Sequence, residues 1–187
     1  MRLPPKQHRE LLATPRERGR AIRAYVALPV LLLLAILQVT LMPSLTIGNL
    51  RPDLVLAAVV CWALYRGATD GATAGLVAGL SLDLLAGSPF GIHGFVMAFV
   101  GAMAGFAAAL VPSEHAMLLP GVAVLCTLVQ QASYVYLLRA AGWPLHWSQV
   151  LLTVALPASA LNLLLTAALY PVVGRLGLRD APAEPGW

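Results

Sequence analysis

The sequence predicts an all-α membrane protein that crosses the bilayer several times, and three observations lead to that fold class. Of its 187 residues, 59% are hydrophobic and only 11% are charged, whereas soluble domains are roughly a quarter charged. Nine of the acidic and basic residues lie within residues 1–23, which leaves too few to cover a water-facing surface. The rest of the sequence divides into six apolar segments, so most of the surface has to face lipid.

The six segments follow one another with short turns between them. We expect helices at Tyr25–Ile47, Asp53–Tyr65, Ala68–Ala86, Ile92–Val111, Met117–Leu138 and Val150–Val173. The first segment follows a basic region but is longer than the apolar core of a cleavable signal peptide, so it is interpreted as a retained anchor. The second begins after Pro52 with Asp53 in its first turn, which favours a helix start, although it is short for a full span of roughly 20 residues.

The four later segments end at helix-breaking or polar residues. The third is rich in glycine, contains Asp83 and is broken by Gly87–Gly91. The fourth ends at Pro112, and the fifth is followed by a polar, aromatic-rich connection that begins at Arg139. The sixth contains Pro157. Proline and glycine at these positions favour helix ends over continuation.

The distribution of Lys and Arg predicts the orientation. With the N-terminus inside, the seven basic residues of the first 23, together with Arg66, Arg175 and Arg179, lie on the cytoplasmic side. Only Arg51 and Arg139 lie outside, so the charge rule favours six spans with both termini cytoplasmic. The chain then divides into a basic stub (residues 1–23), a six-helix transmembrane domain (24–174) and a short cytoplasmic tail (175–187).

Glycines recur at every fourth position in the third segment. Gly75, Gly79 and Asp83 share one broad helix face, and Gly87 continues the spacing. Small residues four apart let two membrane helices approach closely. Such close packing drives helix association in a bilayer, because the hydrophobic effect does not favour contact between helices over contact with lipid. Helix packing is the favoured interpretation, and a glycine face that binds a partner helix is the functional alternative.

Asp83 has two possible roles. An ionisable residue inside a span should face protein, water or a partner, so proton or cation coupling is one interpretation. The other is a carboxylate that is hydrogen-bonded to the Gly87–Gly91 turn, where His93 is a candidate partner. The structural role is favoured, because a single acid without a second acid or basic partner in a span makes a poor relay.

Other polar residues favour structural roles as well. Asp53 is expected to cap its helix and to pair with Arg51. Neutral polar residues inside spans more often join helices than bind a substrate. That group comprises Gln38, Gln130, Gln131, Asn162 and Thr166.

No catalytic, cofactor-binding or metal-ligating residue is expected. Ser81 and Ser88 do not have Asp83 and His93 in the arrangement of a nucleophile elbow. The histidines are scattered over different loops, and both cysteines lie in apolar runs, which disfavours a metal site. The basic excess is confined to the N-terminal stub, so it fits a membrane flank better than a nucleic-acid surface.

Two stretches resemble the rod shape-determining protein MreD family of bacteria. They are Pro52-Asp53-Leu54 and the run from Gly79 to His93, which reads Gly-Leu-Ser-Leu-Asp-Leu-Leu-Ala-Gly-Ser-Pro-Phe-Gly-Ile-His. The family is similar in length and helix count, and it carries the pattern Gly-Leu-x-x-Asp-Leu-Leu-x-Gly-x-Pro-x-Gly. The resemblance covers Arg51 to Gly105 in order and spacing.

This resemblance implies a non-catalytic scaffold of the elongation (rod) complex in the cytoplasmic membrane, with no cofactor. MreC is the implied partner, while RodA, its transpeptidase partner and MreB are reached through the complex, and membrane lipids surround the chain. The implied fold is similar to the substrate-binding subunit of energy-coupling-factor transporters. The family pattern singles out Asp53, Asp83, Gly87, Pro89 and Gly91 as a structural signature.

The same fold leaves a transport or solute-capture subunit as the rival function. Such vitamin-transporter subunits carry an Ala-x-x-x-Ala docking motif in their first helix. Here Ala21, Ala24, Ala27 and Ala35 never lie four apart, which lowers this alternative. A small molecule bound among Trp62, Asp83 and His93 would support it.

Overall fold

The computed structural model describes residues 29–41, 52–87, 89–110, 119–143 and 155–175, and these contain α-helices and no strand. The helices are α1 (Pro29–Leu41), α2 (Leu54–Arg66), α3 (Ala68–Ala86), α4 (Ile92–Leu110), α5 (Leu119–Ala140) and α6 (Leu156–Arg175). The all-α prediction is confirmed, and the bounds of α3 agree with the predicted ones. The N-terminal stub and Arg51 lie outside the described residues.

Three helices are long and apolar enough to cross a membrane by length and composition. They are α4, α6 and the Gly121–Ala140 part of α5. Helices α1 and α2 are apolar but shorter, and α3 has 19 residues with several glycines. The chain is therefore a helical protein with membrane-type segments, while the count of six complete spans stays a prediction.

Helix α2 lies at the centre of the described bundle. It packs against α3, α4 and α6, and its buried side chains include Val55, Val59 and Val60. Met97 and Val100 of α4 complete this core. Because α2 is covered on several sides, its residues are apolar around most of the helix, as expected for a buried helix.

Helices α2 and α3 form a tight hairpin around Gly67. This residue has φ +88°, a backbone conformation that glycine adopts without a steric penalty. The hairpin brings Gly71 against Ala63: a Cβ on Gly71 would lie 2.6 Å from the Ala63 methyl. A salt bridge between Arg66 and Asp70, with an N–O distance of 3.1 Å, links the two helices beside the hairpin.

Helices α3 and α4 are in backbone contact along a glycine seam. A Cβ on Gly75 would overlap the carbonyl oxygen of Met97 and lie 2.6 Å from its carbonyl carbon. A Cβ on Gly79 would meet His93 in the same way. Further positions of the seam are Gly71, Gly101 and Gly105. The predicted close helix approach is confirmed, and its partner is α4 of the same chain.

The end of the bundle near the α2–α3 hairpin is closed by an aromatic pair. The rings of Tyr65 and Tyr170 stack with centroids 4.6 Å apart. The Tyr65 hydroxyl also donates to the Tyr170 carbonyl at 3.0 Å. Helix α6 contains Pro157 near its first described residues and Pro171 in its interior.

Candidate functional site

Asp83 lies at the end of α3 with its carboxylate turned towards the start of α4. Its side chain is buried, and Oδ2 accepts hydrogen bonds from the backbone N–H groups of Gly91 at 2.9 Å and Gly94 at 3.2 Å. Oδ1 accepts from the His93 backbone N–H at 3.3 Å and lies 2.8 Å from His93 Nδ1. The predicted hydrogen bonding of Asp83 to this turn and its predicted contact with His93 are confirmed.

This carboxylate acts as an N-cap supplied by the neighbouring helix. The first N–H groups of a helix lack intrahelical acceptors and are usually satisfied by the side chain of the cap residue. Gly91 occupies that position before α4, because its carbonyl accepts from Phe95 N–H at 2.9 Å, but it has no side chain. Asp83 provides the missing acceptor, and its negative charge also complements the α4 dipole.

The other signature residues shape the same turn. Gly87 ends α3 in the left-handed conformation at φ +65°, and Gly91 has φ +96°. Both values favour glycine over residues with a Cβ. The Pro89 carbonyl accepts from Ile92 N–H at 3.4 Å. The structure thus brings Asp83, Gly87, Pro89 and Gly91 together in one turn, which we call the α3–α4 turn.

Asp53 belongs to a second polar group, which lies at the start of α2. Its Oδ1 accepts from Leu56 N–H at 2.8 Å, which confirms the predicted helix cap, and from Gln38 Nε2 at 3.0 Å. Its Oδ2 accepts from Gln130 Nε2 at 3.3 Å. The predicted pairing with Arg51 falls outside the described residues.

Two more side chains complete this group, which we call the Asp53 junction (Gln38, Asp53, Thr127, Gln130 and Asn162). Asn162 Oδ1 accepts from the Asp53 backbone N–H at 2.8 Å, and Asn162 Nδ2 donates to the Thr127 hydroxyl at 3.4 Å. Gln38 Oε1 accepts from Val55 N–H at 2.8 Å. The junction therefore connects α1, α2, α5 and α6. The prediction that neutral polar residues join helices is confirmed for Gln38, Gln130 and Asn162.

Helix α5 connects the two polar groups. The ring of Tyr134 packs on His93 with centroids 4.2 Å apart, and Gln130 lies one helical turn away on the same face of α5. Sequence reasoning missed Tyr134, because an aromatic residue inside an apolar segment gives no signal of a polar neighbour. The α3–α4 turn and the Asp53 junction are consequently adjacent.

Of the residues considered for catalysis or solute binding, Asp83 and His93 are in contact, whereas Trp62 and the Ser81 hydroxyl lie apart from that pair. Trp62 packs against the core of α2 towards the α2–α3 hairpin, whereas Asp83 lies at the opposite end of α3. The Ser81 hydroxyl donates to the Val77 carbonyl at 2.8 Å within its own helix. Among the described residues, no three His, Cys, Asp or Glu side chains form a group that could hold a metal ion.

Several helices also present exposed apolar faces. All four phenylalanines of the sequence are exposed, one in the α3–α4 turn and three on α4: Phe90, Phe95, Phe99 and Phe106. Leu33 on α1 and Leu164 on α6 are exposed as well. Such surfaces suit lipid or a partner helix.

Comparison with known proteins gives one match. The family model described as rod shape-determining protein MreD matches residues 19–177. This range includes all six described helices, the α3–α4 turn and the Asp53 junction. No curated protein and no solved structure matches the chain.

Proposed function

This chain belongs to the rod shape-determining protein MreD family, and from that membership we propose that it is a non-catalytic integral membrane scaffold of the bacterial elongation complex. As a member of this family it is a cell-shape membrane protein. In the proposed role it binds MreC and supports peptidoglycan synthesis and the maintenance of rod shape. The observation that carries the proposal is the family match over residues 19–177.

The geometry of the signature residues supports a scaffold. Both oxygens of Asp83 accept hydrogen bonds from the α3–α4 turn, and both oxygens of Asp53 accept from side chains or backbone of its own junction. Carboxylates used in this way fix helix ends relative to one another. A rigid arrangement of helices is what a protein needs to present a constant surface to partners.

The surface that meets MreC is proposed to lie outside the glycine seam. Gly75 and Gly79 are buried, and the backbone of α4 lies directly against both. A partner helix would have to displace α4 to reach these glycines. A contact of MreC with Gly75 or Gly79 is therefore less favourable than a contact with an exposed helix face. The exposed apolar faces of α1, α4 and α6 can contact a partner helix within the membrane without displacing α4.

A photo-crosslinking scan locates the contact. A photoreactive amino acid is placed at Leu33, Phe99 or Leu164, which are exposed on three different helices, and at Val59 as a buried control. We expect a crosslink to MreC from at least one exposed position and none from Val59. Crosslinks from none of the exposed positions would place the contact elsewhere or remove it.

The test of the function itself is a mild-detergent pull-down of the tagged chain from its native membrane, followed by mass spectrometry. The proposal predicts recovery of MreC, with RodA, its transpeptidase partner and MreB in lower yield because they are bound through the complex. Recovery of an ATPase with a membrane coupling protein, and no MreC, would instead support the solute-capture alternative.

The proposed location is the cytoplasmic membrane with both termini in the cytoplasm. The excess of basic residues in the stub supports this orientation. Reporter fusions test it: alkaline phosphatase fused after the last helix should be inactive, and a cytoplasmic reporter at the same position should be active. The reverse pattern would contradict six spans.

A further inference from the structure

We propose that the basic stub (residues 1–23) binds anionic phospholipid headgroups at the membrane surface, beside the end of the bundle that carries the α2–α3 hairpin. The inference is independent of the proposed scaffold function, because it rests on the charge of the stub and on the place where it joins the bundle. Two observations carry it, one from the packing of the helices and one from the distribution of charge along the chain.

The packing of α1 places the attachment of the stub at the hairpin end. Gln38, near the end of α1, donates to Asp53 at the start of α2, with 3.0 Å between Gln38 Nε2 and Asp53 Oδ1. Leu31, near the start of α1, is buried in the same core as the side chains of α2. Helix α1 therefore runs back alongside α2, and Pro29 lies towards the hairpin. Since only residues 24–28 separate the stub from Pro29, the chain tethers it to that end.

Helix α6 contributes an exposed basic residue to the same end. Its Asn162 accepts from the Asp53 backbone N–H at the junction, whereas its Tyr170 stacks on Tyr65 beside the hairpin. Arg175, which ends α6, follows that aromatic pair and is exposed. The stub and a free helix end with a guanidinium therefore meet the same membrane surface.

The described acidic side chains of the bundle are already engaged. Asp53 and Asp83 lie at the end opposite the hairpin, where each accepts hydrogen bonds from the start of a helix. Asp70 lies near the hairpin, 3.1 Å from the Arg66 guanidinium. Residues 24–187 together carry five basic and six acidic residues, a net charge of −1. The counter-charge of the stub therefore has to come mainly from outside the chain.

The stub itself is strongly positive. It contains seven Lys or Arg and two Glu, a net charge of +5. Five of the basic residues precede residue 19, where the family match begins, so they lie outside the matched region. These five are Arg2, Lys6, Arg9, Arg16 and Arg18. Clusters of about four to eight basic residues beside a membrane segment are typical of binding to anionic lipids.

Anionic headgroups are the polyanion that meets the stub without recruitment. The stub is tethered to the apolar helix α1 of a membrane protein, which keeps it close to the headgroups at a high effective concentration. A nucleic acid or an acidic protein would first have to be captured from solution. Lys and Arg also form charge-assisted hydrogen bonds with phosphate oxygens, which are present in every phospholipid headgroup.

Fluorescence quenching of the full-length chain in nanodiscs tests the proposal. Thr14→Cys provides a labelling position in the stub, because the native Cys61 and Cys126 are buried. The discs contain phosphatidylcholine, or equal parts of phosphatidylcholine and phosphatidylglycerol, with the same share of a lipid that carries a nitroxide on its headgroup. We expect quenching to be at least about twofold stronger in the anionic discs. About 1 M NaCl should remove this difference, because it screens charges beyond about 3 Å.

Two sets of substitutions in the stub test the role of charge. The combined variant Arg2→Gln, Lys6→Gln, Arg9→Gln, Arg16→Gln and Arg18→Gln should reduce quenching in the anionic discs to the level in the neutral discs. Glu10→Gln combined with Glu17→Gln is the matched control, because it alters the stub but increases its positive charge. Quenching of this control should equal that of the wild type or exceed it. Circular dichroism and gel filtration establish that each variant is folded.

Equal quenching of the wild type in the two kinds of disc would overturn the proposal, since a stub held by protein does not respond to lipid charge. Undiminished quenching of the combined Gln variant would overturn it as well. Neither result bears on the scaffold function, which the pull-down tests separately. Recovery of MreC without lipid-dependent quenching would reject this inference alone.

Discussion

Replacing Asp83 by alanine should destabilise the protein strongly, because the carboxylate caps α4 from outside that helix. The substitution removes the acceptor of three backbone N–H groups, on Gly91, His93 and Gly94. The Gly94 hydrogen bond is buried and the other two are part-buried. Each donor that loses its partner there costs about 1–2 kcal/mol, so the expected loss is about 3–6 kcal/mol. For a chain of this length this corresponds to a fall in Tm of roughly 6–24 °C.

Thermal unfolding in detergent, followed by circular dichroism, measures this loss. Ser81→Ala is the matched control on the same helix, because the Ser81 hydroxyl only bonds to the Val77 carbonyl one turn earlier. Its stability should change by no more than about 0.5 kcal/mol. A Tm for Asp83→Ala within the range of Ser81→Ala would refute the idea that this carboxylate caps α4.

Three further substitutions test other contacts by the same unfolding measurement. Gly75→Ala should lower Tm by at least about 2 °C, because the new Cβ overlaps the backbone of α4. Gly121→Ala is the control: a Cβ there meets open space, so Tm should be unchanged or slightly higher. Equal changes in Tm for the two variants would argue against close packing at the seam. Gln38→Leu should cost about 1–3 kcal/mol, since it removes two hydrogen bonds at the Asp53 junction, and an unaltered Tm would speak against that role. His93→Phe keeps an aromatic ring beside α5 but loses the side-chain contact to the carboxylate, so we expect a smaller loss of about 1 kcal/mol; a loss as large as that of the aspartate variant would mean that the ring holds the turn.

The helices could be predicted from the sequence because local signals mark their ends. Gly67 and Gly87 have positive φ and bound α3, so the predicted and observed ranges of that helix agree. Helices α5 and α6 are described from Leu119 and Leu156, and their predicted starts at Met117 and Val150 lie outside the described residues.

The turn around Asp83 was also within reach of the sequence, whereas the Asp53 junction was not. Asp83 and Gly91 are only eight residues apart, so a short connection brings them together. Asp53 and Asn162 are 109 residues apart, and no local pattern states which polar residues of distant helices meet. The partner of the glycine seam was unpredictable for the same reason, since the spacing of Gly75 and Gly79 is the same for a contact within or between chains.

Depletion of the protein in its native rod-shaped bacterium tests the central claim most directly. Cell length and width are measured by microscopy while the chain is depleted, together with the incorporation of labelled peptidoglycan precursor into the side wall. A scaffold of the elongation complex predicts that cells become round, that side-wall incorporation falls and that expression of the wild-type chain restores both. Cells that keep their rod shape and their rate of incorporation after the protein is gone would contradict the account.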